Sequence, residues 1–165
     1  MGMVACFASL PAETLGQLQH DPNLIEEYLY PDGGDSEPPN YFDLDKAWHG
    51  IHYLLTGEAE GGVEPQCLAV LGGTEFGPEL AYGSPRFLTI GQVARVAETL
   101  TRLPPESLAN NFNARDMASK GIYPQVIWVR DGKEALDYVL EGYEQLQVFY
   151  QEAASRGDAV IQWLS

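Results

Sequence analysis

Basic side chains are scarce in this chain and almost missing from its first half. Residues 1–80 contain fourteen Asp and Glu but a single base, Lys46, whereas residues 81–165 contain ten acids and eight bases. The formal net charge at pH 7 is -15. Such an uneven charge argues against binding to nucleic acid or to an anionic membrane, and it favours a basic partner.

Other shortages restrict the class of protein. No apolar run reaches the roughly 18 residues that a transmembrane helix needs. The N-terminal residues lack the basic and long apolar segments of a secretory signal, so we expect a cytoplasmic protein. The two cysteines, Cys6 and Cys67, lie in short apolar runs. That placement is typical of buried free thiols rather than of a disulfide framework.

What is present indicates a single α+β domain. A chain of 165 residues that is 45% hydrophobic has the size and composition of one globular domain, which we assign to residues 1–165. Four short apolar segments predict strands, and they cover residues 2–9, 66–71, 86–88 and 159–164. Helical periodicity between them predicts a small mixed sheet packed against several helices. The longest helix is predicted from Asp131 to Arg156.

Local signals predict where several helices begin and end. Thr89 and Gln92 form the pattern of a capping box, and Gly157 is a typical C-cap. Apolar side chains recur every three or four positions in residues 43–56. This segment therefore predicts a helix capped by Asp43.

The segment at residues 31–40 combines proline, glycine and acids, which predicts an exposed loop. Its density of carboxylates resembles a calcium loop, but the EF-hand spacing is absent. The segment is either a solvated loop or part of a docking surface for a basic partner. The candidate partner-binding residues are Asp32, Asp35, Glu37, Tyr41, Asp43 and Asp45.

The predicted helix at residues 43–56 also carries the most reactive group of side chains. Asp45, His49 and His52 fall within about 60° of one another on a helix, and Asp45 is placed to bond His49. The pair suits a general base or half of a metal site, but a third ligand is missing, so we predict no metal. These residues either border the core or line a pocket. The candidate pocket residues are Trp48, His49, His52, Tyr82 and Arg86, the last being a base that could hold an anion.

No recognised catalytic motif is present. The glycines of Leu71-Gly72-Gly73 follow a predicted strand, but they lack the lysine of a Walker loop and the spacing of a dinucleotide fingerprint. There is no Gly-x-Ser-x-Gly sequence, and neither cysteine has an evident histidine partner. We therefore predict no cofactor and no catalytic residue, and a non-enzymatic role is favoured.

Several blocks of sequence together carry a family resemblance. They comprise Met1–Met3, residues 42–57, 71–73, 82–89 and 117–124, and short stretches from Leu136 to Leu164. In this order they resemble the YfbM-like bacterial family, a domain of unknown function (DUF1877). The resemblance implies a small α+β protein and brings no enzyme activity. Some relatives are associated with toxin–immunity gene sets, which implies immunity as a role.

These observations lead to one functional hypothesis and one alternative. The first is a cytoplasmic, non-catalytic binding protein, an immunity protein (antitoxin) that occludes a basic toxin domain. The alternative is a small-molecule-binding protein or enzyme that uses a pocket around Asp45, Trp48, His49 and His52. The sequence leaves the partner and the oligomeric state open.

Overall fold

A computed structural model describes residues 2–165, so Met1 of the family resemblance lies outside it. Five strands form one sheet in the order β2-β1-β5-β4-β3, and every neighbouring pair is antiparallel. The α+β class is confirmed, but the sheet is antiparallel and not mixed. The strands are β1 (Ala5–Leu10), β2 (Tyr41–Asp43), β3 (Thr74–Glu75), β4 (Arg86–Leu88) and β5 (Ala159–Leu164).

The helices provide most of the remaining structure. They are α1 (Ala12–His20), α2 (Leu24–Leu29), α3 (Trp48–Thr56), α4 (Ile90–Thr101), α5 (Pro105–Ala109), α6 (Ala114–Ser119), α7 (Val126–Asp131) and α8 (Lys133–Arg156). The 24 residues of α8 span roughly 36 Å, so it crosses the whole domain as expected. None of the helices within residues 2–165 is long and apolar enough to cross a membrane.

Helices cover both faces of the sheet, which gives three layers. Phe7 of β1 faces a large apolar cluster built with α3, α4 and α8. Its neighbours Cys6 and Ala8 face a smaller cluster built with α1 and α2. Because side chains alternate along a strand, both sets are buried, and every residue of β1 is buried. The central strands are therefore fixed from two sides.

The helix at residues 43–56 begins later than predicted. Asp43 belongs to β2, and α3 starts only at Trp48. Between them Asp45 has a φ of 47°, in the left-handed region, which is incompatible with a continuous helix. The first five residues of the predicted helix therefore form an edge strand and a turn.

The predicted strand at residues 66–71 is wrong. Gln66–Leu68 form a 3-10 turn, and the amide of Gln162 in β5 explains why. Its nitrogen donates to the carbonyl of Leu68 (2.9 Å), and its oxygen accepts from the backbone N–H of Leu71. A buried side chain thus takes the hydrogen bonds that a neighbouring strand would otherwise supply.

The start of α8 differs from the prediction. The chain forms the unpredicted α7, and Gly132, with a φ of 49°, separates it from α8. Asp131 therefore ends one helix and does not cap the next. Elsewhere local signals hold: Thr89 and Gln92 exchange both bonds of a capping box, and Gly157 ends α8 with a φ of 70°.

Candidate functional site

A cavity of about 540 Å³ lies between α3, the 3-10 turn, the loop before β4 and the end of β5. It is lined by all five candidate pocket residues, which are Trp48, His49, His52, Tyr82 and Arg86. Its apolar wall is completed by Val70, Leu71 and Trp163. The fold thus brings together side chains that are distant in sequence, in a volume suited to a small ligand. That the cavity binds a ligand stays a prediction.

His49 is held by two backbone groups. The N–H of Tyr123 donates to its Nδ1 (2.8 Å), and its Nε2 lies 2.9 Å from the carbonyl of Ala59. A backbone amide can only donate and a carbonyl can only accept, so the ring is neutral with its proton on Nε2. Burial lowers the pKa of His49, which favours the same neutral form. Both nitrogens are occupied, so His49 has a structural role in this conformation.

His52 is in the opposite situation. Only 6% of the residue is exposed, and neither ring nitrogen has a partner with hydrogen-bond geometry. Burial is the main cause that lowers the pKa of His52, the nearby His49 adds to it, and the backbone of Gly61 opposes it. An unpartnered buried polar atom costs on the order of 1–3 kcal/mol. His52 therefore lines the cavity with unused hydrogen-bonding capacity.

Three other predicted pocket residues have different surroundings. The indole N–H of Trp48 donates to the carbonyl of Met3 (3.0 Å), so this ring is part of the framework. Arg86 donates to Glu75 (2.6 Å) and to the carbonyl of Gly73 (3.3 Å). Its charge is already balanced, which weakens the prediction that it holds an anion. Tyr82 is 44% exposed and leaves its ring free for contact.

The predicted hydrogen bond between Asp45 and His49 does not form. Asp45 lies before α3, and its carboxylate accepts from the hydroxyl of Tyr138 (2.7 Å) on α8. It is not among the residues that line the cavity. The prediction failed because it placed Asp45 on the helix, whereas a left-handed residue turns the chain there. The structure therefore contains no carboxylate–imidazole pair at these positions.

Sequence reasoning missed one residue that lines the cavity. Trp163 lines the cavity, is 2% exposed, and its indole N–H has no partner. The sequence placed it in the final strand, and no local signal indicates which element its strand meets. Within residues 2–165, no three His, Cys, Asp or Glu side chains are grouped as metal ligands.

The second candidate site is the acidic surface, defined as Asp32, Asp35, Glu37, Tyr41, Asp43 and Asp45. All five carboxylates are exposed, and none forms an ion pair with any residue in the described range 2–165. Some accept local hydrogen bonds, such as Asp32 from Ser36 (3.0 Å). Their negative charge is therefore available to a partner.

Two carboxylates of the acidic surface act on the buried Cys6 and the half-buried Tyr41. Burial is the main cause that raises the pKa of the Cys6 thiol to about 11, and the charges of Asp43 and Glu37 add to it. Burial is also the main cause that raises the pKa of Tyr41, whose hydroxyl lies 3.4 Å from the Cys6 sulfur; Cys6 adds to it, and the same two acids contribute less. Glu37 of the loop at residues 31–40 and Asp43 of β2 thus lie near the same two side chains.

Comparison with known proteins identifies the family and no activity. The family model described as Domain of unknown function (DUF1877) matches residues 1–163, and the chain belongs to this family. The crystal structure of YfbM from Escherichia coli, a protein of unknown function, matches with a TM-score of 0.78 and 20% identity. The match covers 98% of this chain and 99% of that chain, and at this identity it shows the fold alone. No curated protein matches.

Proposed function

We propose that this protein is a non-catalytic binding protein that docks a basic protein partner on the acidic surface. The observation that carries the proposal is that residues 32–45 expose five carboxylates, none of which forms an ion pair within the described residues 2–165. Charges of one sign accelerate association with a complementary partner and make it sensitive to salt. Since some relatives are associated with toxin–immunity gene sets, we infer that the partner is a basic toxin domain and that the protein acts in the cytoplasm as its immunity protein.

A capture experiment with charge-reversal variants tests this proposal. The tagged protein and the variant Asp32→Lys/Asp35→Lys/Glu37→Lys are used as bait in a lysate of the source cells, at low salt and at about 0.5 M salt. We expect the unmodified protein to retain a basic protein at low salt and to release it at high salt. The variant is expected to lose it at both. Capture of the same protein by both baits would contradict docking on the acidic surface.

A matched control separates the surface from the net charge. Glu106, Asp137 and Glu144 are exposed and lie on α5 and α8, beside a different groove. Reversing these three to Lys changes the net charge by the same amount, and this control is expected to keep the partner. Co-expression supplies the functional test, because a captured toxin must stop growth alone and must not do so beside this protein.

The cavity supports a second candidate function, the binding of a small molecule. The specific observation is His52, which lines the cavity with two buried nitrogens that no group satisfies. Part of the wall is apolar, with Trp48, Val70 and Leu71, and the charged side chains of Glu60, Glu75 and Arg86 also line the cavity. The charge of Arg86 is neutralised by its ion pair with Glu75, and Glu60 adds a negative charge to the lining. The site therefore suits an uncharged or cationic ligand with an apolar face.

Ligand-observed NMR with a library of uncharged and cationic fragments tests the cavity. We expect hits to bind the unmodified protein and to lose about tenfold in affinity on His52→Phe, which keeps a ring but removes both nitrogens. The matched control is His20→Phe, because His20 is exposed on α1. Hits that bind all three proteins equally would show that the cavity is not the binding site.

A further inference from the structure

The outermost strand, β2, has a backbone edge that no other strand covers. It pairs with β1 on one side and ends the sheet on the other. In an antiparallel ladder, successive residues direct their backbone groups alternately to one side and to the other. Leu44 donates to the carbonyl of Ala5 (3.0 Å), and Ser9 donates to the carbonyl of Asn40 (3.4 Å). The even-numbered residues of this segment therefore face β1.

Tyr41 and Asp43 accordingly direct their backbone N–H and C=O groups outward. Within residues 2–165, no hydrogen bond outside the ladder uses these four groups. A row of outward backbone groups is a template on which an extended segment can add as a further strand.

The two faces beside this edge differ in chemistry. On the α8 side lies a groove of about 430 Å³, which includes Phe42, Phe149 and Val148, the last being 53% exposed. Side chains alternate along the strand, so Tyr41 and Asp43 face the other side. Glu37 lies near them, since its charge acts on Tyr41 and on Cys6. One face is thus apolar and the other acidic.

The charged residues that line the groove do not neutralise the negative charge beside β2. Arg156 lines the groove, but it donates to Asp158 (3.0 Å) and to Ser9 (2.8 Å). Glu152 lines the same groove and forms no ion pair in the part of the chain that the structure describes. The edge is therefore flanked by free negative charge, which repels a second copy of itself and admits a basic segment.

We propose that β2 binds an extended segment of a basic partner by antiparallel strand addition, and that this segment alternates apolar and basic residues. Residues directly opposite each other on neighbouring strands share a face. The residues that exchange hydrogen bonds with Tyr41 and Asp43 are thus the basic ones, which meet Asp43 and Glu37. The apolar residues enter the groove beside Phe42 and Val148. This inference rests on the proposed function, because it specifies how the acidic surface meets its partner.

Three short capped peptides that alternate Lys and Val test the proposal by calorimetry. One is unmodified, one is N-methylated at every Lys, and one is N-methylated at every Val. The two methylated peptides have equal charge and equal composition, but only methylation at Lys removes donors that face β2. We expect methylation at Lys to weaken binding at least about tenfold relative to methylation at Val. In the same complex, the amides of Tyr41 and Asp43 should become protected from hydrogen exchange.

Two variants of the protein test whether the outward backbone N–H of Asp43 binds the peptide. Asp43→Pro and Asp43→Asn both remove the charge, but only proline removes the outward N–H, a position that edge strands tolerate. We expect Asp43→Pro to weaken binding of the unmodified peptide more than Asp43→Asn does, because the lost N–H can no longer donate to a peptide carbonyl, and equal weakening by the two variants would contradict strand addition. If Asp43→Pro does not fold, the peptide comparison still decides.

Equal binding of the two methylated peptides would overturn strand addition. If that binding is also weakened by salt and by reversal of Asp35 and Glu37, the proposed function stands and only its mode is wrong. Absence of binding by all three peptides would overturn the inference as well. In that case the capture experiment still decides on the proposed function, since it does not depend on peptides.

Discussion

At the scale of single residues, His49 and His52 make stability depend on pH. His52 is buried and His49 is half-buried, and burial lowers the pKa of both below the ordinary value of 6.5, which favours their neutral forms. The unfolded chain therefore binds protons at a higher pH than the folded one. Their contribution to stability is complete above about pH 6.5 and is lost as the pH falls through the lowered folded pKa. Protonation of His49 would also break its bond from Tyr123.

The expected result is a fall in the free energy of unfolding between about pH 7.5 and pH 5.5, a range above the ordinary titration of Asp and Glu. The variant His52→Phe should fall less, because one of the two rings no longer titrates. Guanidinium denaturation at both pH values measures this. An unchanged pH dependence in His52→Phe would show that its ring does not contribute.

At the scale of elements, α3 is fixed closely against α7 and α8. A Cβ added to Gly50 would lie 2.6 Å from the ring of Trp128 and 2.9 Å from a methyl of Val139. Trp128 is fully buried, and its indole N–H donates to the carbonyl of Ile122 (2.7 Å), so it has little freedom to move. This close approach positions α3, and with it His52, against the rest of the cavity.

We therefore expect Gly50→Ala to lower the free energy of unfolding by about 1–3 kcal/mol through overpacking. The control is Gly16→Ala in α1, where an added Cβ would contact nothing within 4 Å. That change should raise stability by up to about 1 kcal/mol, because alanine favours a helix. Thermal and chemical unfolding of both variants measure the difference. Similar shifts in the two variants would contradict the close packing.

The limits of sequence-based prediction also lie at this scale. Thr89 and Gln92 predicted their capping box correctly because both bonds are local. Residues 66–71 were misassigned because the bonds that shape them come from Gln162, far away in sequence. β2 was missed because Asp43 is equally suited to cap a helix, and only pairing with β1 decides between the two.

At the scale of the whole molecule, the acidic surface follows from where charge lies along the sequence, and the cavity follows from where the fold places distant residues. The acidic surface was predictable, because charge can be counted along the sequence. The cavity was predictable only in part: the pocket residues were chosen for their chemistry, and they do line one space. Trp163 could not be assigned to it, because its position follows from the register of β5 against β4. Long-range register has no local signal.

The pairing of β1 with β5 has a consequence for how the chain reaches this fold. Val4 and Ser165 exchange two hydrogen bonds of 2.9 Å, so the middle of the sheet joins the two ends of the described chain. During synthesis, β1 must remain without its central neighbour until residues 159–164 have been made. Closing so long a loop is slow. The centre of the sheet therefore forms only after β5 is available, and removing β1 or β5 takes that centre away.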